Sequence, residues 1–273
     1  MFRSRLSIEM NVLVTGGTGA LGREVVTQLR DSGHSARILS RKPAGSHVSQ
    51  LDADWVQGDL ATGAGLEIAV RGIDAVVHAG SASADLRNAN ATDVVGTRRL
   101  LAMAREARVP HMVYVSIVGM EGIPHPYFKH KLAAEAVVRE NIVPWSILRA
   151  TQFHTLMEIF LGTFSTLPRL AIVPFKWQFQ PVDTRDVAAR LIAVATGPPS
   201  GMLPEYGGPE VRDFKSIAQA WLAARKSRKR LVNLWLPFKF NRLIAQGQLT
   251  CPDHKVGTIT FEQYLTNKYP PPT

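Results

Sequence analysis

The chain has 273 residues, 45% of them hydrophobic, which excludes an intrinsically disordered protein. Its 32 lysine and arginine residues against 22 acidic ones give a net charge of +10, which favours an anionic partner such as a phosphorylated cofactor or an acidic lipid. A single cysteine, Cys251, excludes an intramolecular disulfide and gives no sign of a zinc site, so we expect a cytoplasmic protein. Residues 1–9 have no apolar signal region and are expected to be an N-terminal extension, and no apolar run predicts a membrane span.

A glycine-rich turn, residues 15–22, follows the first predicted strand, 10–14, and precedes a segment with helical apolar spacing, 20–32. Strand, glycine turn and helix in this order match the dinucleotide-binding fingerprint, which can begin at Gly17 or, in a close variant, at Gly16. The glycines permit a tight turn and a close approach of the backbone to a pyrophosphate, which the amides at the helix start then bind. The candidate cofactor-binding residues here are Gly16, Thr18, Gly19, Ala20, Leu21 and Gly22.

The second predicted strand, 35–39, ends at Ser40-Arg41-Lys42. Sites that prefer NAD usually carry an acidic residue about 20 positions after the fingerprint, where it binds the ribose 2′-hydroxyl. This chain has a hydroxyl and two cations there, and these suit the 2′-phosphate of NADP. We therefore predict NADP as the cofactor, with NAD as the alternative if the three residues only begin the surface loop that continues through 43–46.

Strands and helices continue to alternate along the chain. We predict strands at 54–60, 73–78, 111–116 and 143–148, a return to the sheet at 179–182, and helices at 65–71, 90–108, 153–170, 186–196 and from Pro126. This alternation is typical of an α/β fold with a Rossmann-type doubly wound parallel sheet, in which ligands bind at the carboxyl ends of the strands. We expect residues 10–150, completed by 178–197, to form the NAD(P)-binding core, and 151–177 with 198–273 to form a small C-terminal substrate-binding lobe.

A serine and a tyrosine-lysine pair follow the fifth strand. Ser116 ends that strand, and Tyr127 and Lys131 are four residues apart on one face of the next helix. A second Tyr-x-x-x-Lys pattern, Tyr264 with Lys268, has no strand or serine before it, so the pattern alone is unspecific. The alternative interpretation of Tyr127 and Lys131 is a surface pair on an amphipathic helix.

Together these motifs resemble the short-chain dehydrogenase/reductase superfamily in its atypical or extended branch, and most closely the NmrA-like NAD(P)-binding proteins. The resemblance rests on residues 15–22, 58–60, 79–80, 114–119, 127–131 and 148–153. It implies that Tyr127 is the general acid/base, that Lys131 favours its phenolate and binds the nicotinamide ribose, and that Ser116 hydrogen-bonds to the substrate. It also implies that Asp59, with Leu60, contacts the adenine and that Ala79 and Gly80 lie along the cofactor. Extended members often have an asparagine where this chain has Asp93.

We predict an NADP-dependent oxidoreductase, a reductase that transfers hydride between the nicotinamide and a small apolar carbonyl, enone or quinone. Phe153, Trp177 and Trp235 are candidates for the lining of a substrate pocket, with lobe core as the alternative role. Two other functions stay open: a non-catalytic redox sensor, and an accessory protein like the nucleotide-binding subunit of respiratory complex I. In the last case the segment 231–240, beside the basic run 226–230, rests on a membrane; the alternatives are that the segment is lobe core and that the basic run is a solvated loop. We expect a small-molecule substrate, no nucleic acid and no metal, and a homo-oligomer is possible.

Overall fold

The computed structural model describes residues 9–44, 51–82, 87–235 and 237–270. Residues 1–8 of the predicted N-terminal extension, and residues 45–46 of the loop predicted after Lys42, therefore lie outside the described residues. The chain forms two compact units. Unit 1 comprises the chain up to Tyr114 together with Ala133–Ile147 and Ala188–Gly201, and unit 2 comprises Val115–Leu132, Leu148–Val187 and the chain from Met202.

The central sheet has seven strands in the order β3-β2-β1-β4-β5-β6-β9. The pairs β1–β2, β1–β4, β2–β3 and β4–β5 are parallel. The sheet strands are β1 (Asn11–Thr15), β2 (Ser35–Ser40), β3 (Asp54–Gln57), β4 (Ala75–His78), β5 (Met112–Ile117), β6 (Trp145–Ala150) and β9 (Gly201–Met202). Val12, Leu13 and Val14 have no exposed surface, as expected for a parallel strand covered on both faces. The predicted α/β fold with a parallel doubly wound sheet is thereby confirmed.

Helices alternate with these strands. They are α1 (Ala20–Asp31), α2 (Leu66–Val70), α3 (Gly96–Glu106), α4 (Pro126–Arg139), α5 (His154–Phe164), α6 (Thr184–Ala195), α7 (Phe214–Ala224), α8 (Lys239–Ala245) and α9 (Phe261–Lys268). The helix predicted for 90–108 begins with a π-helical turn, Asn90–Val95, and continues as α3. In the described part of the chain, none of the helices has the length and hydrophobicity needed to span a lipid bilayer.

Unit 2 contains two small sheets and an aromatic core. Strand β7 (Leu170–Val173) pairs in parallel with β11 (Arg230–Asn233), and β8 (Gln178–Phe179) pairs in antiparallel orientation with β10 (Arg212–Asp213). The prediction that the chain returns to the central sheet at 179–182 is wrong: Phe179 is buried in the aromatic core, and among the described strands β8 pairs with β10 in a separate two-stranded sheet. The helix predicted for 153–170 ends at Phe164, and the chain then passes through Pro168 into β7, since proline cannot continue a helix.

Candidate functional site

The glycine turn in unit 1 is built by close backbone contacts. Gly16 has a φ of +71°, in the left-handed region that favours glycine, and a Cβ there would lie 2.8 Å from the Cα of Gly80. A Cβ at Gly22 would lie 2.2 Å from the carbonyl oxygen of Gly16. Neither position has room for a side chain. Gly19 precedes α1, and within the described ranges no side-chain cap is made to the first amides of this helix, which suit an anion such as a pyrophosphate.

A chain of buried hydrogen bonds lies beside this turn. The amide of Gly80 donates to Thr15 Oγ1 at 3.0 Å, Thr15 Oγ1 lies 2.6 Å from Nδ1 of His78, and Nε2 of His78 lies 2.9 Å from Thr97 Oγ1. The Thr97 hydroxyl donates to the carbonyl oxygen of Asp93 at 2.5 Å, so it must accept from His78 Nε2–H. Nδ1 of His78 then accepts from the Thr15 hydroxyl. Sequence reasoning missed His78; its only signal was a histidine at the end of an apolar strand.

Asp93, which replaces the asparagine common in extended members, lies in the π-helical turn of unit 1. It is 1% exposed, and its Oδ2 accepts from the amide of Ala82 at 3.3 Å. Its Oδ1 has no hydrogen-bond partner within the described ranges. A buried carboxylate oxygen without a partner is energetically costly, and π-helical turns are frequent at functional sites. These two observations mark Asp93 as a residue of functional interest.

The turn after β2 has an anchored backbone and exposed side chains. The Trp55 indole donates to the carbonyl oxygen of Lys42 at 3.0 Å, and the Gln57 side chain donates to that of Arg41 at 3.3 Å. The amide of Lys42 also donates to Ser40 Oγ at 3.2 Å. The side chains of Arg41 and Lys42 are exposed and form no ion pair with any residue that the structure describes. Two cations on a fixed turn are therefore available to an anionic group.

The turn after β3 places the next two candidates. Asp59 Oδ1 accepts from the amide of Ala61 at 2.9 Å, which fixes the carboxylate at the start of the turn. Leu60 is buried and packs closely on α3: a Cβ added at Gly96 would lie 2.8 Å from the Cβ of Leu60. Leu60 is therefore held by packing, whereas Asp59 is only half-buried and has a second carboxylate oxygen to offer.

Ser116 and Lys131 in unit 2 are both buried. Ser116 lies in β5 with 3% of its surface exposed, and its Oγ has no hydrogen-bond partner among the described residues. Lys131 is 4% exposed, and its Nζ donates to the carbonyl oxygen of Val115 at 2.7 Å. Lys131 is therefore not part of a solvated helix face. A buried hydroxyl without a partner costs free energy, which a substrate oxygen at hydrogen-bonding distance would recover.

Tyr127 lies in the first turn of α4 and is half-buried. Its amide lies 3.3 Å from Nδ1 of His125, and its ring centroid lies 5.9 Å from that of Phe128. The His125 ring in turn lies 5.8 Å from that of Phe240, and burial lowers the pKa of His125. Aromatic rings therefore lie close to Tyr127. One of them is the imidazole of His125, whose lowered pKa favours its neutral form at pH 7.

The second Tyr-x-x-x-Lys pair has a different environment. Tyr264 and Tyr269 donate from their hydroxyls to Glu158 at 2.5 and 2.6 Å, and Lys268 also donates to this carboxylate. Burial and the hydrogen bond to Glu158 raise the pKa of Tyr264 to about 12. A phenol beside a carboxylate resists deprotonation, so Tyr264 is unsuited to act as a general base. The cluster instead ties α9 to α5.

The three candidate substrate residues have different environments. Trp177 is 8% exposed, its ring stacks on Phe214 at 6.1 Å, and its indole donates to Asn241. This is the environment of a core residue, the alternative that the sequence left open. Phe153 is half-buried at the start of α5, whereas Trp235 is 75% exposed.

A family profile described as NAD(P)H-binding matches residues 16–158, more than half of the chain. A (4-alkanoyl-5-oxo-2,5-dihydrofuran-3-yl)methyl phosphate reductase of Streptomyces griseus is 31% identical over 96% of this chain and 82% of its own length.

Among solved structures, a short-chain dehydrogenase/reductase superfamily protein of Agrobacterium tumefaciens with bound NAD gives a TM-score of 0.69 at 23% identity, covering 94% of this chain and 95% of its own. An NADPH-dependent quinone oxidoreductase of Escherichia coli gives 0.74 at 16% identity, covering 94% and 99%. The structural likenesses show the fold alone. On the profile and the Streptomyces relative, the chain belongs to the NAD(P)H-binding family.

Proposed function

We propose that the chain is an NADP-dependent reductase that acts on a small apolar carbonyl, enone or quinone. The observation that carries this proposal is the buried Ser116 hydroxyl, which has no hydrogen-bond partner in the part of the chain that the structure describes. The preceding residue, Val115, accepts a hydrogen bond from Lys131 through its carbonyl oxygen. A buried donor of this kind suits a substrate oxygen, and a buried ammonium suits a phenolate.

Each residue has a distinct part in this proposal. A nicotinamide dinucleotide, when bound, supplies the hydride. Ser116 donates to the substrate oxygen and orients it, while Tyr127 delivers a proton to that oxygen as negative charge develops there. Lys131 stabilises the phenolate of Tyr127 that remains, because its ammonium is held in a buried position where charge interactions are strong.

The exposed cations after β2 support NADP over NAD. The backbone of Arg41 and Lys42 is fixed by Gln57 and Trp55, so their side chains project from a defined turn. A 2′-phosphate carries about two negative charges, and charge-assisted hydrogen bonds to it are stronger than those to a neutral hydroxyl. The predicted contacts of Asp59, Leu60, Ala79 and Gly80 with the cofactor are part of the same proposal.

The relatives' names support an electron-poor substrate. The Streptomyces protein is named as the reductase of a (4-alkanoyl-5-oxo-2,5-dihydrofuran-3-yl)methyl phosphate, which carries a conjugated lactone as well as a phosphate, and the Escherichia coli structure is named as an NADPH-dependent quinone oxidoreductase. A conjugated lactone and a quinone both accept hydride because an adjacent oxygen receives the developing charge. A conjugated carbonyl compound is therefore the substrate class to test first.

The test combines cofactor binding with turnover. NADPH and NADH are titrated into the wild type, Tyr127→Phe and Tyr264→Phe, and nicotinamide absorbance is followed with conjugated lactones, enones, quinones and ketones. We expect Tyr127→Phe to bind NADPH like the wild type and to turn over about 10²–10⁴-fold more slowly, because it lacks the proton donor. Tyr264→Phe, the matched control from the second Tyr-x-x-x-Lys pair, should keep its turnover. If the wild type binds NADPH and oxidises it with no member of the panel, the non-catalytic sensor replaces this proposal.

A further inference from the structure

Unit 2 exposes a patch of apolar side chains at the end of strand β11. Trp235 is 75% exposed, Phe238 is 65% exposed and Val232 is 40% exposed. Trp235, Pro237 and Phe238 line a shallow depression of about 400 Å³. We call Val232, Trp235, Pro237 and Phe238 the aromatic patch. Two large rings exposed this far, three positions apart, are unusual on a surface that faces only water and mark a binding surface.

The chain around the aromatic patch has no carboxylate. Between Asp213 and Asp253 there is no aspartate or glutamate, but there are eight cations: Lys215, Arg225, Lys226, Arg228, Lys229, Arg230, Lys239 and Arg242. Residues 159–182, which include the neighbouring strand β7, also have no acidic residue. None of the eight cations forms an ion pair within the described part of the chain. The segment between Asp213 and Asp253 is thus strongly positive, and Lys239 and Arg242 bring two of its cations to the patch.

Cations and exposed rings occur together in the depression itself. Lys239 and Arg242 line it with Trp235 and Phe238. The basic run 226–230 leads directly into β11, whose far end adjoins the patch. Exposed apolar rings and cations therefore lie side by side. The headgroup region of an anionic bilayer accommodates both, because its apolar boundary takes up the rings and its anionic groups contact the cations.

We propose that the aromatic patch binds the surface of an anionic lipid bilayer. Trp235 and Phe238 insert at the level of the headgroups, and the surrounding lysine and arginine side chains contact anionic headgroups. A second copy of this chain does not fit the same surface, because a symmetric contact would place these uncompensated cations opposite themselves. A single-stranded nucleic acid also contacts cations and exposed rings, so an oligonucleotide is tested below as the competing occupant.

The test is co-sedimentation of the full chain with vesicles of phosphatidylcholine alone and with vesicles in which roughly one third of the lipid is phosphatidylserine. We expect binding to the anionic vesicles, weakening as salt is raised. The double variants Trp235→Ala/Phe238→Ala and Lys239→Gln/Arg242→Gln should each lower the vesicle affinity about tenfold or more. Matched controls are Ile142→Ala, an apolar side chain that is 79% exposed outside the patch, and Arg105→Gln/Arg139→Gln.

A second readout tests insertion directly. Brominated lipids quench a tryptophan that enters the bilayer, so Trp235→Phe should retain binding and lose most of this quenching. The proposal is overturned if the folded wild type does not bind anionic vesicles, or if the patch variants bind as the controls do. It is also overturned if an oligonucleotide competes fully for the patch, or if Trp235→Ala/Phe238→Ala converts an oligomer into a monomer, which would assign the patch to a protein interface. Circular dichroism confirms that each variant is folded.

Discussion

Lys131 Nζ donates to the carbonyl oxygen of Val115 at 2.7 Å, and Val115 immediately precedes Ser116 in strand β5. An ammonium that is 4% exposed is costly to bury unless partners compensate its charge, and the carbonyl oxygen of Val115 is one such partner. The hydrogen bond thus holds a buried cation next to the strand residue that precedes a buried serine. Such an arrangement is typical of functional sites.

Replacing Lys131 with methionine tests its role. We expect kcat/KM for the reductase reaction to fall about 10²–10⁴-fold, because the phenolate of Tyr127 loses its stabilising cation. Lys129→Met, an exposed lysine on the same helix, is the control. Unchanged turnover in Lys131→Met would refute this role of Lys131.

Arg41 and Lys42 should determine the choice of cofactor. In the double variant Arg41→Gln/Lys42→Gln we expect NADPH to bind roughly 10–100-fold more weakly, because charge-assisted hydrogen bonds to the 2′-phosphate are lost. NADH affinity should stay the same, since NADH has no such phosphate. Calorimetric titration of both cofactors measures the ratio, with Arg105→Gln as a control for net charge. An equal loss for both cofactors would contradict the assignment.

His78→Gln tests the hydrogen-bond chain beside the glycine turn. Glutamine cannot reach Thr15 and Thr97 with the geometry of an imidazole, so we expect the unfolding free energy to fall by about 1–3 kcal/mol. NADPH affinity should fall as well, because Thr15 holds the amide of Gly80 next to Gly16. His111→Gln is the control: His111 is equally buried and lies 2.9 Å from Ser146 Oγ, but it is remote in sequence from the turn. If both variants bind NADPH equally well, His78 has only a structural role.

Glu158 should make the stability of unit 2 depend on acid. Burial alone would raise the pKa of Glu158, but hydrogen bonds from Lys268, Tyr264 and Tyr269 outweigh it and hold the pKa below its ordinary value of 4.5. The stability from the ionised group is therefore fully present above about pH 4.5 and is lost as the pH falls through the lowered pKa. Glu158→Gln should be less stable than the wild type by about 1–3 kcal/mol at neutral pH, and this difference should shrink in acid. Urea unfolding at several pH values measures it, with the exposed Glu140→Gln as control; a difference independent of pH would contradict the mechanism.

Local patterns predicted the central sheet well. The strands around Val12, Ile38 and Val113 are apolar runs separated by helices, and this alternation allows few folds other than a doubly wound sheet. The glycine turn was visible because Gly16 and Gly22 have backbone requirements that only glycine meets. Unit 2 was predicted less well, because its contacts join distant residues. Gln152, for example, donates to the carbonyl oxygen of Leu249 across a sequence separation of 97, and neither residue signals its partner.

The candidate site shows the same division. Ser116 and Lys131 were selected by their spacing and their order after a strand, but spacing cannot tell a buried lysine from an exposed one. The sequence did not distinguish Trp177 from Trp235, although Trp177 is in the core and Trp235 is on the surface. Burial depends on which segments pack together, and for the tail this information is absent from any short stretch of sequence.

The distribution of the unit 2 core along the chain has a consequence for how the chain folds. Strands β1 and β2 pair in parallel, with Asn11 opposite Ser35. The glycine turn lies in the short segment between them, so it can form while later residues are still being synthesised. The core of unit 2, in contrast, joins residues far apart in the sequence, from Ile123 to Leu265. The aromatic core must therefore wait until residue 265 has been synthesised, and until then the rings of Trp177, Phe179 and Phe214 lack part of their packing. A ribosome stalled before residue 261 would carry a finished dinucleotide turn and an unfinished, aggregation-prone lobe.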